Sequence, residues 1–239
     1  MCSWKRLALL AAVCVLAAGT SNAATIKFRS GDGDGAIGTP DPYVMVLPGP
    51  QGGFTSLTAS DFAAARAGNP AVIVYEASWD IPLSTDSAAR PINVSGIRQN
   101  SNEPSGLYAI RIDNEYGYAT NATLDLCYSV DDYLGRRSGP GYSTVDTAAV
   151  YLNDKPLTAT TGEMAPPYAS EYNGKECELH FTGLTLQAGE NWIYINATNT
   201  GFQGAVIFSG MLTFTPVPEP VSLSLLAVGV AGLLSRRRR

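Results

Sequence analysis

The chain contains a single histidine, so only one residue is a candidate for chemistry that depends on an imidazole. His180 alternates with Leu179 and Phe181, and this period of two predicts that it faces solvent on a strand. A hydrolase triad or a histidine-ligated metal would have to use it, and the sequence lacks a Gly-x-Ser-x-Gly nucleophile elbow. We therefore predict that the protein is not an enzyme. A surface glycoside hydrolase using two carboxylates is the alternative, because 21 Asp and Glu residues leave many spatial pairs.

Two acidic pairs are the candidates for metal chemistry. Asp131 and Asp132 lie at the end of a predicted strand. Asp32 and Asp34 alternate with glycines in the loop that is predicted to follow the first strand. Carboxylates beside loop carbonyls are the ligands that calcium takes, but the closing Glu of an EF-hand is missing. A solvated strand end and a glycine-rich turn are the favoured alternatives. We predict no cofactor, with calcium as the one candidate.

Loop aromatics are candidates for binding polysaccharide, because an aromatic face can stack on a sugar ring. Trp79, Tyr133 and Tyr142 lie in or near predicted loops. The favoured alternative is that Trp79 belongs to the core and the tyrosines decorate the surface.

Cys127 and Cys177 are the cysteines that remain once the N-terminal segment is removed. In an oxidising compartment they could form a disulfide, which would contribute about 4 kcal/mol in the chain-entropy model. In the predicted strands, Cys127 lies on the polar face with Asp125, whereas Cys177 lies on the apolar face with Leu179 and Phe181, so the alternation does not show that the two side chains could meet. A disulfide and two free thiols therefore both stay open.

Short β-type runs separated by Gly, Pro, Asn and Asp predict an all-β sandwich or jelly roll. In the run 122–130, Leu124, Leu126, Tyr128 and Val130 share one face, which we expect in the core. Ser60 is the expected N-cap of one helix that ends at Gly68, and a second helical turn is expected at 84–89.

Both ends of the chain look like targeting segments. Lys5 and Arg6 precede the apolar run 7–18, and a small-residue site predicts a signal peptide, residues 1–23, that is cleaved after Ala23. The leader carries a charge of +2 and the tail, with four arginines against Glu219, carries +3, so the charge of −5 for the whole chain becomes −10 for residues 24–215. Such an acidic domain repels nucleic acid, and we expect none as a partner.

The tail, residues 216–239, resembles the PEP-CTERM sorting signal of Gram-negative bacteria. Its matching features are the motif Pro218-Glu219-Pro220, the apolar run 221–234 and the basic cluster Arg236, Arg237, Arg238 and Arg239. The resemblance implies a single transmembrane helix that holds the exported chain briefly in the inner membrane. It also implies that an exosortase-type enzyme cuts near the Pro-Glu-Pro motif and releases the protein to the cell surface or matrix. The alternative is a plain C-terminal anchor.

The stretch 122–214 resembles a galactose-binding-like jelly roll more loosely. The matching segments are 122–126, 128–132, 150–154, 186–191, 193–195, 199–201 and 204–214. Relatives have Asn-Gly where this chain has Asn153-Asp154, and both residue types tolerate the positive φ of a tight turn.

We therefore expect one β-sandwich domain, residues 24–215, between the signal peptide and the sorting tail. The expected function is that of an exported structural or adhesive protein of the cell surface or exopolysaccharide matrix. A dedicated carbohydrate-binding module is the first alternative, and the hydrolase is the second.

Overall fold

The computed structural model describes residues 23–31, 35–74, 83–97, 102–116, 119–140, 144–162, 176–201 and 203–216. These residues form an all-β, sandwich-like structure with one helix, which confirms the predicted class. The strands are β1 (Ala24–Arg29), β2 (Pro40–Gly49), β3 (Asn69–Ile73), β4 (Ile92–Asn93), β5 (Ser105–Asn114), β6 (Ala119–Val130), β7 (Tyr133–Leu134), β8 (Arg136–Ser138), β9 (Thr144–Thr147), β10 (Val150–Leu152), β11 (Lys155–Pro156), β12 (Thr161–Gly162), β13 (Cys177–Leu186), β14 (Gly189–Thr198) and β15 (Val206–Pro216), and the helix is α1 (Ala59–Arg66).

Most of these strands belong to one large, curled antiparallel sheet. Its order is β11-β10-β14-β5-β2-β3-β4-β15-β6-β13-β12, with β1 paired to β15 and β7 paired to β14. The short strands β3 and β4 join a half built on β2, β5, β14 and β10 to a half built on β1, β15, β6 and β13. Strands β8 and β9 form a separate two-stranded ladder.

The core lies between the two halves of the sheet. Val44 and Ile110 from the first half share one buried cluster with Leu124, Phe181 and Phe208 from the second half. Within β6 the even-numbered residues from 122 to 130 are buried in this core, while residues 123, 125 and 127 are only partly covered. The predicted inward face of this strand is therefore confirmed.

Helix α1 covers the outer face of the first half, and it begins two residues earlier than predicted. Its N-cap is Thr58 rather than Ser60, because Asp61 accepts a hydrogen bond from the Thr58 backbone N–H at 2.7 Å. Asp61 thus satisfies a donor at the helix start that has no partner within the helix. Phe62 packs against Tyr151 and Tyr194, which anchors the helix to β10 and β14.

The segment 84–89 is not helical, contrary to expectation. It forms consecutive turns in which Asp86 N–H donates to the Leu83 carbonyl at 3.2 Å and Ala89 N–H donates to the Asp86 carbonyl at 3.1 Å. Leu83 and Ala89 are buried against Ile207 on the outer face of β15. Packing on the sheet, rather than helix propensity, therefore determines the shape of this segment.

The tight turn between β10 and β11 has positive φ angles at its two central residues, a conformation that Asn and Asp tolerate. Asn153 has φ 48° and Asp154 has φ 66°, the positive values of a hairpin turn whose twist matches its strands. The Asn153 side chain also accepts a hydrogen bond from Trp192 N–H at 2.8 Å, which ties the turn to β14.

Among the described residues, α1 falls short of the length and apolar character needed to cross a membrane. Residues 1–22 of the predicted signal peptide and the predicted transmembrane run 221–234 lie outside the described residues.

Replacing Phe62 by alanine should lower the free energy of unfolding by about 3–5 kcal/mol, the usual cost of deleting a buried aromatic ring. The ring centroid of Phe62 lies 5.0 Å from that of Tyr151 and 4.9 Å from that of Tyr194, so the variant leaves a cavity under α1. Urea unfolding followed by circular dichroism measures the change. The matched control, Ala64→Ser on the exposed side of α1, should shift stability by less than about 0.5 kcal/mol. Equal effects of the two variants would contradict this packing.

Candidate functional site

A groove of about 590 Å³, lined largely by polar and charged residues, lies on the outer face of the second half of the sheet. Strands β1, β15, β6 and β13 form its floor, and Thr161 of β12 and the 83–90 segment contribute to its walls. Because side chains alternate along each strand, the same strands that fill the core also supply this outer face.

The strand register places a first row of four side chains across the groove. Glu178 of β13 lies opposite Cys127 of β6, Cys127 lies opposite Ser209 of β15, and Ser209 lies opposite Arg29 of β1. Neighbouring strands are about 4.8 Å apart, so this row spans about 14 Å from its acidic end to its basic end.

A second, parallel row lies two residues further along each strand. His180 of β13 lies opposite Asp125 of β6, which lies opposite Met211 of β15, which lies opposite Lys27 of β1. The Nδ1 atom of His180 is in hydrogen-bonding contact with Oδ1 of Asp125. The predicted solvent-facing position of His180 is confirmed, since 38% of its side chain is exposed.

The 83–90 segment closes one side of the groove through side-chain contacts. Asp86 accepts a hydrogen bond from the Ser209 hydroxyl at 2.8 Å and forms an ion pair with Arg29 at 3.1 Å. Glu176 accepts hydrogen bonds from Ser84 N–H at 2.9 Å and from the Thr85 hydroxyl at 3.2 Å. Burial tends to raise the pKa of Glu176, but these hydrogen bonds outweigh it and lower the pKa.

Two charges at opposite corners of the groove are not neutralised by a neighbour. Within the described residues, Lys27 has no acidic partner and Glu178 has no basic partner. The closest polar contact of Glu178 is the Cys127 thiol, whose sulfur lies 3.8 Å from Oε1. The groove can therefore offer a cationic donor at one end and an anionic acceptor at the other.

The disulfide alternative is wrong for this structure, in which Cys127 and Cys177 are free thiols. Cys127 pairs with Glu178, whereas Cys177 pairs with Tyr128, one residue along each strand. The two sulfurs therefore point to opposite faces of the sheet, Cys127 into the groove and Cys177 into the core. Burial raises the pKa of the Cys127 thiol, and this effect exceeds the opposing hydrogen bond with Thr85.

The predicted metal pair lies at the end of β6, away from the groove. Asp132 accepts hydrogen bonds from both the backbone N–H and the hydroxyl of Thr200, so it caps the turn after β14. Asp131 N–H donates to the carbonyl of Ala205 at 3.2 Å. In the described parts of the chain, no group of three or more His, Cys, Asp or Glu side chains is placed to hold a metal ion. Calcium binding by Asp131 and Asp132 stays a prediction.

The expectation that Tyr133 stacks on a sugar is wrong for this structure. Tyr133 is buried with 9% of its surface exposed, because its strand β7 pairs with the end of β14 and turns the ring away from solvent. The other sequence-predicted site residues lie outside the described residues, namely Asp32, Asp34, Trp79, Tyr142, Pro218, Glu219, Pro220, Arg236, Arg237, Arg238 and Arg239.

Comparison with known proteins adds no functional assignment. No protein-family model matches the chain, and a search of curated proteins gives no match. The fold and the groove thus define an all-β, sandwich-like domain with a mixed-charge groove on one outer face. Its lining side chains combine carboxylates, cations, hydroxyls and one imidazole, a set suited to hydrogen bonding with a polar ligand.

Protein isolated without its predicted signal peptide, and so without Cys2 and Cys14, should take up two alkyl groups when it is unfolded without reductant, one on each of Cys127 and Cys177. In the folded state at neutral pH, Cys127 should react slowly with iodoacetamide, because its raised pKa keeps the thiol protonated. The rate should increase as the pH rises, when the reactive thiolate forms. Intact mass measured against time reports both results. Material that takes up alkyl groups only after reduction would contradict the free-thiol assignment.

Proposed function

We propose that the chain is an exported, non-enzymatic structural or adhesive protein, delivered by its tail to the cell surface or exopolysaccharide matrix. The observation that carries this proposal is that every described strand lies between the two predicted cleavage points. Strand β1 begins at Ala24, the residue after the predicted signal cleavage, and β15 ends at Pro216, two residues before Pro218. Cleavage after Ala23 and near Pro218 would therefore leave every described strand intact.

The pairing of the first and last strands sets Ala24 beside Phe214 in the antiparallel ladder of β1 and β15, so the described ends of the sheet that lead towards the two predicted cleavage points are neighbours. A chain held by its leader and by its tail would thus be attached at one end of the domain. The opposite strand ends, including Asp131 and Asp132, would point away from the membrane. This arrangement suits a domain that is exported first and released by an exosortase-type enzyme afterwards.

The finer fold assignment, a galactose-binding-like jelly roll, is part of the same proposal. It draws support from the antiparallel sheet halves around one core and from the Asn153-Asp154 hairpin at the position where relatives turn. The charge of −10 for residues 24–215 suits a domain that stays dispersed outside the cell and does not bind nucleic acid.

The groove bears on the two alternatives in different ways. Its polar lining favours a carbohydrate-binding role as the second candidate function. The glycoside hydrolase would need two carboxylates flanking a sugar, and no described contact singles out a pair for that role among Asp86, Asp125 and Glu178 of the groove.

Changing Glu219 to alanine should block processing, because it removes the acidic residue of the proposed sorting motif. Wild-type protein should begin at Ala24 and lack the arginine cluster, and the variant should accumulate in the inner membrane with its C-terminus at Arg239. Intact mass and cell fractionation measure both outcomes. Glu115→Ala, an exposed acid on the domain, serves as the control and should be processed normally. Wild-type protein that still ends at Arg239 in the inner membrane would refute the proposal.

A further inference from the structure

We infer that the groove over β1, β15, β6 and β13 binds an oligosaccharide segment that carries a free, protonated amino group. The inference goes beyond the proposed delivery to the matrix, because it assigns a ligand class to a particular face of the domain. The ammonium of the sugar lies between Asp125 and Glu178, and its hydroxyls contact Ser209 and Lys27. The groove, its charges and its position on the sheet each support this assignment.

The geometry of the groove fits a ligand with several hydrogen-bonding groups. Its side chains form a grid about 5 Å apart between strands and about 7 Å apart along each strand. Carboxylates of Asp125 and Glu178 accept hydrogen bonds at one side, and Lys27 donates them at the other. A sugar hydroxyl both donates and accepts, so an oligosaccharide laid across the strands meets complementary groups along its length.

The charges select the amino group. Glu178 lies diagonally across from Asp125, one strand over and two residues along, and the described residues give Glu178 no cationic partner. An ammonium placed here would form charge-assisted hydrogen bonds that are stronger than those of a neutral hydroxyl. A polymer of uronic acids would be repelled by these carboxylates and by the charge of −10 on residues 24–215.

The position of the groove argues against a peptide ligand. An extended peptide binds most readily by adding a strand to a sheet edge, where backbone groups are unpaired. The floor of this groove is the face of β15 and β6, whose backbones are paired with strands on both sides. Recognition must therefore come from side chains above the sheet, which suits a ligand recognised through hydroxyl and amino groups.

The test uses untagged, processed protein, so that His180 remains the sole histidine and gives one imidazole signal in NMR spectra. A fully deacetylated glucosamine oligomer should bind in calorimetry and should shift this signal. The N-acetylated oligomer of equal length should bind about tenfold more weakly, since it lacks the ammonium. Glu178→Gln should weaken binding of the deacetylated oligomer by about tenfold or more.

Glu115→Gln is the matched control, because it removes the same charge from an exposed position outside the groove. Its affinity should stay within about twofold of wild type. Equal losses in Glu178→Gln and Glu115→Gln would show general charge attraction and overturn the inference. So would an unshifted His180 signal, equal binding of the acetylated oligomer, or tighter binding of a lysine-rich peptide. Binding is measured on purified protein, so this result is independent of whether Glu219 is needed for processing.

Discussion

The alternation of side chains along β6 is the constraint on which the core and the groove both depend. Leu124 and Leu126 face the centre of the sandwich-like structure, so Asp125 and Cys127 must face outward. β6 is paired along most of its length with β13 on one side and β15 on the other. A shift of one residue in either ladder would expose the core residues and bury the charged ones. Burial of the apolar face thus fixes the arrangement of the outer face as well.

Much of the fold could be predicted because local patterns specify it. The face of β6 that is buried, the existence of α1 and the turn at Asn153 all follow from residue types that are close in sequence. The start of α1 was missed by two residues because Thr58 and Ser60 are both good caps, and the contact with Asp61 decides between them. The helical turn predicted for 84–89 is wrong because the shape of this segment depends on packing against Ile207, which is distant in sequence.

The site could be predicted only in part, because the register between distant strands has no local signal. The outward positions of Asp125 and His180 are visible in each strand, but nothing nearby in the sequence indicates that they are paired. For the same reason the sequence does not decide whether Cys127 and Cys177 form a disulfide. The register of β6 and β13 decides it, because it places the two thiols on opposite faces of the sheet. Tyr133 was misjudged because a two-residue strand after a loop carries no pattern that indicates burial.

The pairing of β1 with β15 also sets the order of events when the chain folds. Contacts between residues as far apart as Ala24 and Phe214 close a very long loop, so we expect them to form late and to slow folding. Strand β1 has no other partner among the described strands, and it must wait until the last strand has been synthesised. Until then the apolar faces that β15 covers in the folded domain remain open. A C-terminal segment that holds the newly made chain in place would keep such incomplete domains apart while the final strand reaches its position.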